Sequence, residues 1–221
     1  GTRFSVPPDY ANGDVAINTY KENFKGHISF VKVAKDGTMD LAFQIVTPGV
    51  NFDLSHAGKG KSHGWFFFSC YNTEQANTLL EVNASQKDKD FIMAVNWKKA
   101  EEYIKAGKGI KKSVKYAHNK WNEKTHSATS EIKNEVLVLD AAALKDICYM
   151  IPCPKSPHGC DVDPTGEYIV GSGKLAALIP VFSFDKLQDA IQNKKFEGNY
   201  GGINVIKYEA ALHGEVQKPG L

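Results

Sequence analysis

Ile92-Met93-Ala94-Val95-Asn96-Trp97-Lys98-Lys99-Ala100 and Pro180-Val181-Phe182-Ser183-Phe184-Asp185-Lys186-Leu187-Gln188 share one pattern: an apolar strand, a polar residue, then the first turn of a helix. Val136-Leu137-Val138-Leu139-Asp140 begins a third copy. The side-chain oxygen of Asn or Asp accepts an orphan first-turn N–H, so Asn96, Asp140 and Asp185 read as capping residues. They lie 44 and 45 residues apart, the span of one propeller blade. The interval 108–134 lacks the further strands a blade needs, and an insertion inside one blade explains the spacing equally well.

Working outward, Gly64-Trp65-Phe66-Phe67-Phe68-Ser69-Cys70-Tyr71 is nearly all apolar and predicts a strand buried on both faces. Residues 90–95 read as another buried strand, entering a helix over 97–106 that Gly107 ends in the left-handed conformation. Upstream, His27-Ile28-Ser29-Phe30-Val31-Lys32-Val33 alternates, Lys35-Asp36-Gly37-Thr38 turns, and 39–46 returns. Asp-Gly between alternating runs is a hairpin signal. Residues 1–25 read as loop with short extended pieces, and the Gly-rich stretch 47–61 and the polar stretch 72–89 read as loop. Residues 108–134 are basic, then mixed, without a usable period, and read as a surface insertion. Farther on, 136–139, 148–151, 167–171 and 178–184 read as strands, with one or two helical turns after Asp140 and a helix over 185–193 capped by Asp185. Many short strands with Gly, Pro and Asp turns predict an all-β fold, a propeller ahead of a sandwich.

The 221 residues have room for one large domain or two small ones. Lys and Arg number 27 against 25 Asp and Glu, so charge selects no partner by sign, and no nucleic-acid footprint is expected. With 42% hydrophobic and 24% charged residues, the composition excludes disorder and collagen-like repeats. No apolar run nears the roughly 20 residues that span a bilayer. The chain opens Gly1-Thr2-Arg3, shows no signal-peptide pattern, and stops at Lys218-Pro219-Gly220-Leu221. It is expected to be a segment of something longer. Cys70, Cys148, Cys153 and Cys160 form no Cys-x-x-Cys and no trusted zinc spacing, so they read as small buried apolar residues.

His158 is the most informative histidine. In Pro152-Cys153-Pro154-Lys155-Ser156-Pro157-His158-Gly159-Cys160, Pro157 keeps Ser156 out of the helical region and Gly159 leaves space beside the ring. A stiff, extended segment suits a metal ligand, although bare Pro-His-Gly fits a structural histidine as well. The other six histidines form no paired spacing. The acidic loop is the second candidate. Tyr71, Glu74, Glu81, Asp88 and Asp90 lie in or beside it, and hard oxygen ligands suit Ca²⁺; a solvated loop is the alternative. There is no Gly-x-Ser-x-Gly, and Gly171-Ser172-Gly173-Lys174 lacks the phosphate-loop pattern.

Ser69-Cys70-Tyr71-Asn72-Thr73-Glu74, the strand 90–96 with its helix ending Lys105-Ala106-Gly107, and above all Ile151-Pro152-x-Pro154-Lys155-x-Pro157-His158-Gly159 resemble the nitrous-oxide reductase family. Asp163-Pro164-Thr165-Gly166-Glu167-Tyr168-Ile169 and Gly173-Lys174-Leu175 do too, in the same order and spacing, from about His27 onward. The polar insertion resembles the longer version of the family's second, atypical branch. The resemblance implies an interior piece of an N-terminal seven-bladed β-propeller spanning residues 1–221, an incomplete ring, with a C-terminal cupredoxin domain and its dinuclear electron-entry copper outside this chain. It implies a periplasmic oxidoreductase of denitrification, homodimeric when full-length, with nitrous oxide as substrate and a donor such as a c-type cytochrome.

Carried over residue by residue, His158 matches a ligand of the tetranuclear copper–sulfide centre. Tyr71, Glu74, Val82, Asp88 and Ser156 match a neighbouring calcium site. Val82 stands where a Met is common, which is harmless if only its carbonyl binds, and Ser156 stands where an Asn is common. Asn51-Phe52-Asp53 resembles the family's Asn-Leu-Asp, placing Asp53 beside the copper cluster. The rival expectation is a non-catalytic β-propeller interaction or calcium-binding structural module.

Overall fold

A computed structural model of the chain describes residues 2–6, 25–33, 35, 39–48, 51–71 and 90–218. Its architecture follows from β5 (Trp65–Tyr71). Every residue from Trp65 to Cys70 is buried. Side chains alternate along a strand, so Phe66, Phe68 and Cys70 enter one hydrophobic cluster while Trp65 and Phe67 enter another. A strand that is dry on both faces needs a sheet on each side, and the chain supplies them.

Among the described residues the strands form three sheets. The middle sheet runs in the order β13 (Phe196–Tyr200), β14 (Ile203–Ile206), β9 (Cys148–Cys153), β6 (Asp90–Asn96), β5, β4 (Asn51–Ala57). Against one face lies the sheet of β1 (Thr2–Val6), β2 (Lys25–Val33), β3 (Met39–Pro48), β7 (Ile110–Asn122) and β8 (Ser127–Asp140). Ile28, Phe30, Phe43 and Ile45 pack there with Phe66, Phe68, Met93 and Met150. Against the other lies the sheet of β10 (Cys160–Val162), β11 (Tyr168–Gly171), β12 (Leu178–Ser183) and β15 (Leu212–Gln217). There Ile169 and Phe182 meet Phe67, Ile92 and Ile151, with Phe184 and Leu187 of a covering helix.

The strands repeat as a unit. β4, β5, β6 and β9 are successive antiparallel neighbours, and so are β10, β11, β12 and β15. In both units a helix and a hairpin are inserted before the fourth strand. The first has α1 (Trp97–Lys105) with β7 and β8; the second has α2 (Phe184–Gln192), β13 and β14, and the short α3 (Tyr208–Ala211). The last strand of each inserted hairpin then pairs in parallel with the preceding sheet, β8 with β3 and β14 with β9. The two copies read at 92–100 and 180–188 are therefore the third strand and helix of successive units.

Several expectations from the sequence hold. The hairpin of β2 and β3 closes with Val33 opposite Met39. The Asn96 side chain accepts from Lys99 N–H at 2.9 Å and caps α1, and Gly107 takes φ +74° beyond its end. Others need correction. Asp140 starts no helix: it ends β8, and its carboxylate accepts from Ala142 N–H in a turn. The cap of α2 is Ser183, whose hydroxyl accepts from Lys186 N–H at 3.1 Å, while Asp185 lies inside the first turn. Residues 2–6 and 51–57, read as loop, are β1 and β4. Most of 108–134 is the long ribbon of β7 and β8, paired residue by residue. Trp121 and Ile132 are exposed on one face of its outer part, and Asn122, Ser127, Thr129 and Glu131 are exposed on the other, so neither face selects for alternation there and the period is lost. The stretch 72–89 lies outside the described residues.

The turn Asp163-Pro164-Thr165-Gly166, between β10 and β11, rests on residues 59–61 of the first unit. Thr165 C=O accepts from Lys61 N–H at 3.1 Å, and Gly166 sits at φ +76° against Lys59, where a Cβ would collide with its carbonyl. The Asp163 carboxyl is held down from its ordinary 3.8 to about 2, first by the Thr165 hydroxyl and then by Tyr168 N–H. Its ionised form therefore stabilises the fold fully above the ordinary value and loses that contribution as pH falls toward about 2. Melting temperature should drop less steeply with acid over this interval in Asp163→Asn than in the wild type; equal slopes would show that the turn does not carry acid sensitivity.

Candidate functional site

Two segments meet at the seam between the units: β4, and the link between β9 and β10. In β4 the register slips. Phe52 faces Cys70 and Ser55 faces Phe68, so Asp53 and Leu54 together oppose Ser69. This β-bulge adds one residue and brings Asp53 and His56 onto the same side, toward β10. The backbone groups that the bulge removes from the ladder are satisfied by Ser69. Its fully buried hydroxyl accepts from Leu54 N–H at 3.1 Å and lies 3.3 Å from Leu54 C=O, to which it can donate.

The link carries Pro154, Ser156, Pro157 and His158. Ser156 is buried at φ +56°, and its N–H donates to the Asp90 carboxylate at 2.7 Å. Its C=O accepts from Lys174 N–H at 2.7 Å, and Lys155 C=O accepts from Leu175 N–H. On the far side, Gly159 N–H donates to the Ser172 hydroxyl at 2.8 Å, and Gly159 C=O accepts from Ser172 N–H at 3.0 Å. The histidine-bearing loop is thus held before and after the ring.

His158 Nδ1 lies 2.6 Å from Asp53 Oδ2, with the ring 61% exposed and the carboxylate 21% exposed. Three residues along each segment a second pair spans the seam with the roles exchanged. His56 Nδ1 is 3.0 Å from Asp161 Oδ1, and it also receives Val162 N–H at 3.2 Å. The backbone donor needs a lone pair on Nδ1, whereas an ionised Asp161 needs a proton there, so the two contacts belong to different tautomers.

Of the residues expected from the sequence, His158 and Asp53 are therefore brought together. Tyr71 ends β5, and Glu74, Val82 and Asp88 lie outside the described residues. Ser156 is placed beside Asp90, at the head of β6, next to that stretch. Sequence reading gave no role to Ser69 or Ser172, and it grouped Asp90 with the acidic loop as a candidate oxygen ligand, whereas its carboxylate accepts from Ser156 N–H. A carboxylate opening an otherwise apolar buried strand was the available signal for Asp90, while the two serines carry none. All four cysteines are free thiols. Burial pushes each of them up, Cys160 to about 12, so they are protonated and inert. Among the described residues, no three His, Cys, Asp or Glu side chains group closely enough to hold a metal ion.

Over 193 residues the chain is 27% identical to the nitrous-oxide reductase of Pseudomonas fluorescens, covering 84% of this chain and 27% of that protein. The chain is similar to nitrous-oxide reductase. Over 161 residues it is 28% identical to the nitrous-oxide reductase of Stutzerimonas stutzeri, covering 71% of this chain and 22% of that one. The chain spans about a quarter of the length of these curated relatives. No family model matches it. Among the described residues no helix is long and apolar enough to cross a membrane.

Asp90 is 2% exposed and bonds the N–H of a residue in a left-handed conformation. Asp90→Ala should lower unfolding free energy by about 1–3 kcal/mol, the cost of stranding a buried donor. Asp90→Asn, which keeps an acceptor oxygen, should lose less. Denaturant titration of both variants checks this, and equal losses would point to charge rather than the hydrogen bond.

Proposed function

We propose that this chain is part of a copper-dependent nitrous-oxide reductase, and that His158 is one ligand of its catalytic copper–sulfide centre, oriented by Asp53. The observation that carries this reading is the 2.6 Å contact between His158 Nδ1 and the Asp53 carboxylate. An ionised carboxylate only accepts, so the proton sits on Nδ1 and the Nε2 lone pair is left for a metal. A neutral imidazole with a fixed tautomer suits copper. One such imidazole is a fitting donor and an incomplete set; the remaining ligands would come from elsewhere in the longer protein.

When bound, the copper would supply the electrons that convert N₂O, with two electrons and two protons, to N₂ and water. The residues of this chain do narrower work. The loop of Pro154 and Pro157 presents the imidazole with little freedom to lose on binding, and Asp53 holds a proton on Nδ1. On the same reading, Tyr71, Glu74, Val82, Asp88 and Ser156 would supply the ligands of a calcium ion. Hard oxygen donors and backbone carbonyls are the shell that ion takes.

The repeated unit of four antiparallel strands supports assignment of residues 1–221 to part of an N-terminal seven-bladed propeller. The outer face of the β10–β15 sheet supports it as well, because Val170, Ile179, Val181 and Val216 are not fully covered there. A further blade would cover them, and a cupredoxin domain with the electron-entry copper would follow. The corresponding setting is periplasmic, as a homodimer that takes electrons from a donor such as a c-type cytochrome.

In the full-length protein, His158→Ala should lower copper in the catalytic centre and abolish N₂O reduction while the melting temperature holds, because prolines and hydrogen bonds set the backbone there. Full copper content with a lowered melting temperature would instead mark a structural histidine in a non-catalytic module. Separately, Glu74→Gln and Asp88→Asn should each lower calcium content and speed proteolysis within 72–89. Calcium content and cleavage rates at wild-type values would remove the calcium site from the proposal.

A further inference from the structure

We infer that Ser69 and Ser172 are a matched pair of positioning residues that set the geometry of the Asp53–His158 dyad. The inference deepens the reading above, because its consequence for copper rests on His158 being a ligand; its geometric content does not.

Ser69 lies within β5 and Ser172 just beyond β11, and the two make the same contacts. Ser69 Oγ lies within hydrogen-bond distance of both backbone groups of Leu54, at 3.1 Å from N and 3.3 Å from O. Ser172 Oγ lies within the same reach of both backbone groups of Gly159, at 2.8 Å and 3.1 Å. Leu54 is the residue after Asp53, and Gly159 is the residue after His158. Each hydroxyl therefore fastens the peptide immediately beyond one dyad member. A hydroxyl is the smallest side-chain group that both accepts and donates, so it satisfies an N–H and a C=O of one residue at once.

The need for this fastening is local. Leu54 sits in the bulge, where ladder pairing to β5 is interrupted between Phe52 and Ser55. Gly159 sits between the proline-rich link and β10, where pairing with β11 begins only at Cys160. Neither dyad member is thus held by sheet pairing at its own position. A contact of 2.6 Å between two side chains on separate segments tolerates little drift, since a hydrogen bond weakens steeply with distance and angle. The pair His56 and Asp161, also spanning the seam, adds a third tie but acts beyond the bulge, on β4 and β10 proper.

Ser172→Ala removes the hydroxyl contacts to Gly159 while Ser172 N–H keeps its bond to Gly159 C=O at 3.0 Å, so the loop remains attached but less directed. Ser69→Ala unsatisfies the bulge. The expected result is a loss of tautomer definition at His158. The test uses the full-length protein, freed of metal and labelled with nitrogen-15 at histidine, read by long-range nitrogen–proton correlation at mildly alkaline pH. Wild type should show His158 protonated at Nδ1. Ser69→Ala and Ser172→Ala should each admix the Nε2-protonated form, and Ser172→Thr, which keeps the hydroxyl, should restore the wild-type pattern. Once copper is restored, retention of centre copper against a chelator should fall about tenfold in the alanine variants, the usual scale for losing an outer-shell partner.

An unchanged Nδ1-protonated His158 in Ser172→Ala overturns the inference, whatever happens to the melting temperature, and so does a wild type protonated at Nε2. If Ser69→Ala does not fold, Ser172→Ala and its threonine partner decide alone. If the tautomer shifts as expected while His158→Ala retains full copper, the serine pair stands and the ligand reading fails.

Discussion

Both faces of β5 are dry, and the rest of the molecule is arranged around that constraint. Phe66 and Phe68 need one cover, Trp65 and Phe67 another, and each side chain of this size is worth about 1.5–3 kcal/mol when removed from water. Two further sheets provide the covers, each sharing a core with the middle one. Stacking them brings β4, the edge strand beside β5, against β10 of the next unit. The seam between these two strands is where the polar side chains of interest converge.

Placing polar groups beside such cores is expensive unless each finds a partner. The structure answers this locally. Ser69 satisfies the bulge, Asp90 satisfies the left-handed Ser156, and Ser172 satisfies Gly159. The same groups that remove a desolvation penalty also remove freedom from the backbone on either side of His158. Stability and presentation of the imidazole are in this sense one problem, solved by the same hydrogen bonds.

The similarity to nitrous-oxide reductase gives this geometry a chemical setting. A partly exposed imidazole whose Nδ1 faces a carboxylate, on a loop stiffened by prolines, is a costly arrangement for a histidine that merely fills space. It is a sensible one for a donor that must arrive with its lone pair directed. The relatives align over about a quarter of their length. On the proposed reading, His158 with Asp53 would be the portion of the centre that these units contribute.

The apolar runs at 64–71 and 90–95, the Asp-Gly hairpin, the cap at Asn96 and the Pro-rich segment around His158 were all legible in the residues, because each depends on neighbours close in sequence. Strand period, turn chemistry and capping are short-range physics. The bulge at Asp53 and Leu54 was not legible, since it exists only in the register between β4 and β5. Nor was the ribbon of β7 and β8, whose described outer residues such as Trp121 and Ile132 are exposed and so leave no alternation. Asp140 and Asp185 looked like caps because their side chains can cap; whether a helix follows is decided by where β8 and β12 end in their sheets. The contact of Asp53 with His158 joins residues 105 positions apart, and only the stacking of two sheets on a doubly buried strand could bring them within hydrogen-bond reach.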